Sequence, residues 1–216
     1  LATGAVLHAT HERSLGKLGG LIHRMPWVAW LALVGTLAIA GLPPLNGFVS
    51  EWLLLQAFLF TPTLPQSFVN MLVPIAAAAL VLAAALAAYV MVKFYGVIFL
   101  GRPREANLAY AKDAGRHERV ALSLLAAGCV LLGVFPGVVI HALDPVNVLL
   151  VGSPVGEAAG NWLMLAPFGE DRSSYSPLIV FVVIVAVVLV TMQVVHRYYH
   201  GRVRRGLPWA CGFPWG

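Results

Sequence analysis

Residues 71–100 are thirty consecutive positions with a single charged side chain, Lys93. As a helix that run is about 45 Å long, against roughly 30 Å of hydrocarbon in a bilayer. Two further stretches, 119–141 and 177–196, are also long enough to cross. Over 216 positions the chain is 60% hydrophobic and 11% charged, where soluble domains carry about 25% charge. A water-soluble globule, a disordered tail and a nucleic-acid binder are thereby excluded. Cys129 in an apolar run and Cys211 near the end show no metal-like spacing and make no disulfide scaffold. The expected class is all-α, a polytopic transmembrane helix bundle.

Residues 1–9 look like the last turns of another helix, so the sequence reads as a C-terminal fragment of a longer chain. Residues 27–60 are apolar but interrupted by Gly41-Leu42-Pro43-Pro44-Leu45-Asn46-Gly47. That stretch is either one broken crossing or two short re-entrant helices, and charge decides. Lys and Arg collect in short cytoplasmic loops. Loop 10–26 holds Arg13, Lys17 and Arg24, and loop 101–119 holds Arg102, Arg104, Lys112, Arg116 and Arg119. The tail after 196 holds Arg197, Arg202, Arg204 and Arg205. Loop 61–70 has no charge, and loop 142–176 has Arg172 against Asp144, Glu157, Glu170 and Asp171. A single crossing by 27–60 puts every basic segment on one face, whereas two crossings would separate 10–26 from 101–119. The sequence predicts one discontinuous helix and a cytoplasmic C-terminal tail. This distribution also accounts for the pI of about 9.6. Trp27 and Trp30 stand where amphipathic rings favour the headgroup level. Trp162 and Phe168 fall in the outer loop, where a short helix lying along the surface could hold them, and the stretch Val151–Ser176 reads as a long connection rather than a span.

Three intramembrane features bear on chemistry. Pro43 and Pro44 cannot donate backbone hydrogen bonds, and their rings clash with carbonyls a turn earlier, near Ile39 and Ala40. Such a break survives in lipid only where it is buried in protein or lines a wet cavity. Discontinuous helices of this kind mark ion and substrate sites in transporters, and a kink that only shapes packing is the competing reading. Glu51 follows the break, with Asn46 and Ser50 nearby. A carboxylate at the centre of a span costs roughly 2.5–3.5 kcal/mol and is too short to reach the interface. It needs a partner, a hydrated path or a proton. Burial disfavours its charged form while a cation or helix N-terminus favours it, which suits a group that gains and loses protons. The third feature is Lys93, either a relay member or a side chain lifting its ammonium to the interface. Histidine is a residue type suited to a proton path; for each of His8, His11, His141 and His196 an interfacial or solvated role is the competing reading, and His8 stands out because it shares a helix with whatever preceded Leu1. No P-loop, dinucleotide turn, H-E-x-x-H or nucleophile elbow occurs, so nothing marks a self-contained enzyme.

The run Gly4-Ala5-Val6-Leu7-His8-Ala9-Thr10, then Leu18-Gly19-Gly20-Leu21 and Met25-Pro26, then Ala40-Gly41-Leu42-Pro43-Pro44-Leu45-Asn46-Gly47-Phe48-Val49-Ser50-Glu51, resembles the antiporter-like membrane subunits. These are shared by respiratory complex I, Mrp-type cation/proton antiporters and membrane-bound hydrogenases. Lys93-Phe94-Tyr95-Gly96-Val97-Ile98-Phe99-Leu100-Gly101 and Trp209-Ala210-Cys211-Gly212 look most like the hydrogenase-4 component B and formate hydrogenlyase branch.

The resemblance implies a proton-translocating subunit of a redox complex in a bacterial inner membrane. Residues 1–104 would be the end of its antiporter-like repeat, with the broken helix at 27–60. Residues 105–216 would be additional helices and a basic tail. Glu51 then falls where these subunits carry a terminal proton carrier, with Lys93 and His8 as further proton-translocation candidates. Gly41, Pro43, Pro44, Asn46, Gly47 and Ser50 make the break. The implied partners are other membrane subunits, peripheral hydrogenase and iron–sulfur subunits, the lipid bilayer, and protons or Na⁺. No cofactor, metal or nucleic acid is expected in this chain. A sodium/proton antiporter component and a non-conducting anchor are the alternatives. The family's first repeat and the Lys-bearing helix expected before Leu1 are missing, so this stretch alone should not translocate protons.

Overall fold

The computed structural model describes residues 1–59, 67–152 and 176–198, and every regular element among them is helical. The helices are α1 (Ala2–Thr10), α2 (Pro26–Ile39), α3 (Asn46–Leu59), α4 (Ser67–Phe99), α5 (Arg116–Val134), α6 (Pro136–Ala142), α7 (Asp144–Val151) and α8 (Pro177–Tyr198). Short 3-10 turns lie at Leu15–Lys17, Leu21–His23 and Ala106–Tyr110. Three helices, at Phe68–Phe99, Arg116–Val134 and Pro177–Tyr198, are long and apolar enough to cross a membrane. The chain is a multi-pass helical membrane protein. Helices α2 and α3 have 14 residues each, about 21 Å apiece, too short to cross singly.

Residues 1–180 form one unit and residues 181–216 a second. In the second, the described residues are 181–198, the continuation of α8, with every side chain exposed. The rest of the basic tail, with Arg202, Arg204, Arg205 and Trp209–Gly212, lies outside the described residues, as do Glu157, Trp162, Phe168, Glu170, Asp171 and Arg172.

Within the first unit, α2 and α3 each pack against both α4 and α5. The two basic loops meet at one end of this bundle. The Gly20 amide donates to the Leu100 carbonyl at 2.9 Å. Arg104 donates to the Gly16 carbonyl at 3.0 Å, and Lys17 lies 3.6 Å from Glu105. With residues 20 and 100 side by side, the broken stretch crosses once. A re-entrant pair would have sent the end of α4 to the opposite face.

The same end holds the main buried cluster. Leu21, Met25 and Val28 are fully enclosed with Ile98, Phe99 and Leu108. Loop residues can supply a core here because water lies outside the hydrocarbon, and burying each large apolar side chain stabilises by roughly 1.5–3 kcal/mol. Asp113 tightens the junction. Its carboxylate accepts the first-turn amides of α2, Trp27 at 3.0 Å and Val28 at 3.4 Å, as well as the Ala114 amide at 2.8 Å. The N-cap residue Met25 supplies no side-chain cap, so an acid 85 residues away satisfies donors that every helix start leaves open. Arg119 donates to the Ala114 carbonyl at 2.7 Å and lies over the Trp27 ring.

One expectation needs correction. The stretch 119–141 is not one span: α5 ends at Val134, and Pro136 starts α6. Phe135 precedes a proline, a position where helical backbone is disfavoured. Helix α7 follows α6, and the stretch Val151–Ser176, expected to be a long connection, lies almost wholly outside the described residues.

Candidate functional site

The break occupies residues 40–45, between α2 and α3. Its first cause is Gly41 rather than the prolines. Gly41 has a φ of +65°, a left-handed conformation that is nearly free only for glycine. This lets the Leu42 amide reach the Leu37 carbonyl at 3.1 Å and the Gly41 amide reach the Ala38 carbonyl at 3.2 Å. These are the two bonds of a Schellman motif, which closes α2 before the prolines. The carbonyls left open by the helix end are thus partly repaid locally, at Leu37 and Ala38 rather than at Ile39 and Ala40. Pro43 and Pro44, joined by a cis bond, then keep the chain from resuming a helix until Asn46.

The repaired break is also partly enclosed, with Leu42 exposed. Pro43, Leu45 and Val49 are buried. Gly133 of α5 lies so close to the backbone of Pro44–Asn46 that a β-carbon there would fall 2.7 Å from the Asn46 nitrogen. Gly47 likewise presses on the backbone of Ala38. The break is therefore held by the end of α2 on one side and by α5 on the other, as a non-helical segment at membrane depth requires.

Glu51 stands one and a half turns into α3 and folds back over the break. A β-carbon on Gly41 would lie 3.0 Å from the Glu51 carboxyl carbon. The side chain is half-buried and borders two cavities. One, of about 730 Å³, is also bordered by Thr3, Thr36, Asn46, Gly47 and Cys129. The other, of about 170 Å³, is bordered by Gly41, Trp52 and Leu80. Among the described residues no Lys or Arg forms an ion pair with Glu51. Asn46 Oδ1 is buried without a protein hydrogen-bond partner among the described residues. The larger cavity has mostly apolar walls, but it has room for water beside Thr3, Thr36, Asn46 and Glu51, and such an oxygen requires a partner.

The other candidates are placed elsewhere. Ser50 is exposed, and its hydroxyl donates to the Gly47 carbonyl at 2.9 Å. Lys93 is exposed on α4, its ammonium 6.0 Å from the centroid of the Tyr89 ring, and it borders neither cavity at Glu51. His8 is exposed and borders a separate basin of about 520 Å³ with Lys112, Asp113, His117 and Glu118. His141 lies 3.0 Å from Asp144 at the far end of α6. Sequence reasoning did not single out Thr3, Thr36, Cys129 or Gly133. Thr36 carried a signal, being a hydroxyl one turn before the break. The others carried none, since only packing brings them there.

Residues 1–63 match the family described as NADH:quinone oxidoreductase/Mrp antiporter, TM. Along its whole length the chain is 31% identical to hydrogenase-4 component B of Escherichia coli (strain K12), covering 32% of that protein. Over 134 residues, 62% of the chain, it is 40% identical to formate hydrogenlyase subunit 3 of the same organism, covering 22% of it. The chain thus spans a third or less of the length of these relatives. Its fold is similar to part of the membrane-bound sulfane sulfur reductase, an archaeal respiratory membrane complex. That superposition has a TM-score of 0.71 at 24% identity, covering 99% of this chain and 32% of the other. This multi-pass membrane chain, with its discontinuous helix, is thus similar to the antiporter-like membrane subunits of the NADH:quinone oxidoreductase/Mrp antiporter family and of hydrogenase-4 and formate hydrogenlyase.

Proposed function

We propose that the chain is part of a subunit that moves protons across a bacterial inner membrane, with Glu51 as a terminal proton carrier. The observation that carries this reading is the position of Glu51. Its carboxylate has no cationic partner among the described residues, lies over Gly41 and borders two cavities. A group that touches two separate spaces can take a proton from one and release it to the other. The half-helix ends at the break set opposing fields on it, carbonyls from α2 and amides from α3.

The driving force would come from elsewhere. The similar proteins from Escherichia coli are named as components of hydrogenase-4 and formate hydrogenlyase. Further membrane subunits and peripheral hydrogenase or iron–sulfur subunits are therefore the proposed partners, and this chain contributes no redox centre. The positive-inside rule makes the end where the two basic loops meet the cytoplasmic one, and places the tail there too. Lys93 and His8 remain second-rank carriers, since neither borders the space around Glu51. Redox-driven proton uptake in inverted membrane vesicles tests the reading. Glu51→Gln should abolish uptake and Glu51→Asp should retain part of it. Uptake unchanged in Glu51→Gln would leave a non-conducting anchor.

One observation favours a second reading. Asn46 Oδ1 and the Glu51 carboxylate are oxygen donors on one cavity beside unwound backbone, the donor set that holds Na⁺ at broken helices. In that case the protein would be a Mrp-type sodium/proton antiporter component, and uptake would depend on sodium.

A further inference from the structure

The starts of α2 and α5 lie side by side at the end of the bundle where the basic loops meet. The Trp27 amide donates to Asp113, three residues before Arg116, and the Arg119 guanidinium lies 5.8 Å from the centroid of the Trp27 ring. The acids on these two loops are all engaged. Glu12 and Glu105 lie against Lys17, Asp113 holds the α2 amides and Arg119, and Glu118 accepts from the Gly115 amide. Against those four acids, loops 10–26 and 101–119 carry eight Lys and Arg. Arg24, just before α2, and Arg116, the first residue of α5, are exposed and have no ion pair among the described residues.

Past these two cations, both helices turn apolar side chains outward. Trp27 and Trp30, one turn apart on α2, are more than half exposed, as are Val120 and Leu124 of α5. Arg116, Val120 and Leu124 recur every four residues and so share one face of α5. That face runs about 12 Å from the charge into the hydrocarbon, most of the roughly 15 Å depth of one leaflet.

We propose that an anionic phospholipid is held at the junction of α2 and α5, its headgroup drawn by Arg24 and Arg116 and its acyl chains lying along Trp30, Val120 and Leu124. Basic sites between helices at the cytoplasmic face recognise anionic headgroups, and indole rings favour that same level. A phospholipid presents negative charge and then hydrocarbon, the order in which this face presents cations and then apolar side chains. An acidic segment of a partner subunit would match the arginines alone. The site does not depend on the role proposed for Glu51. Occupied, it braces the starts of the two helices that enclose the break.

The test is native mass spectrometry of the full-length protein, delipidated in non-ionic detergent and titrated with dioleoyl phosphatidylglycerol. The first lipid bound should be held about tenfold more tightly than phosphatidylcholine with the same chains. Arg24→Gln with Arg116→Gln should weaken it about thirtyfold, equivalent to ~2 kcal/mol. Arg24→Lys with Arg116→Lys should keep most of the affinity, which separates lost charge from misfolding, and Trp30→Ala should weaken binding through the chains. Arg13→Gln with Arg102→Gln removes the same charge from exposed positions on the same loops and should leave the affinity unchanged. Equal losses in the two Gln pairs would overturn the site, leaving only the general field of the loops. Equal binding of the two lipids, or full competition by glycerol 1-phosphate, would overturn it as well.

Discussion

The carboxyl group of Glu51 lies over the α-carbon of Gly41, where a β-carbon would come within 3.0 Å of the Glu51 Cδ. The residue that ends α2 and the acid on α3 are therefore one structural unit. Gly41 supplies the left-handed turn, and its missing side chain leaves the space that the acid occupies.

Gly41→Ala meets both requirements badly. The positive φ alone costs about 1–2 kcal/mol for an L-residue with a side chain, and the new methyl must displace the carboxylate. Thermal unfolding in detergent should show the loss. Combining Gly41→Ala with Glu51→Ala separates the two parts. The double variant should be more stable than the sum of the singles implies, because the carboxylate is no longer in the way. Strict additivity would mean that only the turn matters.

Asp113→Ala should loosen the start of α2. It removes the acceptor of the Trp27 and Val28 amides, and losing a side-chain cap costs about 0.5–2 kcal/mol. The ion pair with Arg119, at 3.9 Å, adds little by comparison. Amide exchange at Trp27 and Val28 should accelerate in this variant while amides in the middle of α4 stay protected.

Gly133→Ala should damage the break from the other side. Its methyl would fall against the backbone of Pro44 and Leu45, which cannot move as a side-chain tip can. A cost of about 1–3 kcal/mol is expected for overpacking there. Gly128→Ala, with open space at that glycine, is the matched control and should be neutral or slightly stabilising by helix propensity.

The loop between α1 and α2 should respond to acid. Donation from the Ser14 amide at 2.8 Å, aided by Lys17 and the Arg13 amide, holds the Glu12 carboxyl below its ordinary value of 4.5. A lowered folded value means that the contribution to stability is present above 4.5 and is lost as pH falls through the lowered value. Exchange of the Arg13 and Ser14 amides should be slower in the native chain than in Glu12→Gln near neutral pH. The difference should vanish in acid.

Much of this architecture was legible because lipid leaves few choices. Apolar length marked the spans, and the placement of Lys and Arg decided that residues 27–60 cross once, as the contact between Gly20 and Leu100 bears out. The interruption before Asn46 was visible in its glycine and prolines, but their division of labour was not. Gly41 ends α2, and the prolines only delay the next helix. Pro136 is a readable stop inside 119–141, hidden in the hydropathy pattern because the residues on either side stay apolar. The clamp of Asp113 on α2 and the contact of Gly133 with Pro44 join residues more than 80 positions apart, and no local pattern announces them. The direction in which Lys93 points depends on which face of α4 meets α2 and α3, again a matter of packing.

The most direct measurement is the infrared difference spectrum of the protein, with its partner subunits, between resting and energised membranes. A proton carrier at position 51 requires a carboxylic acid C=O band that changes on energisation and is lost in Glu51→Gln. A carboxylic band that persists unaltered in Glu51→Gln, or a Glu51 that stays in one protonation state throughout, would contradict the assignment.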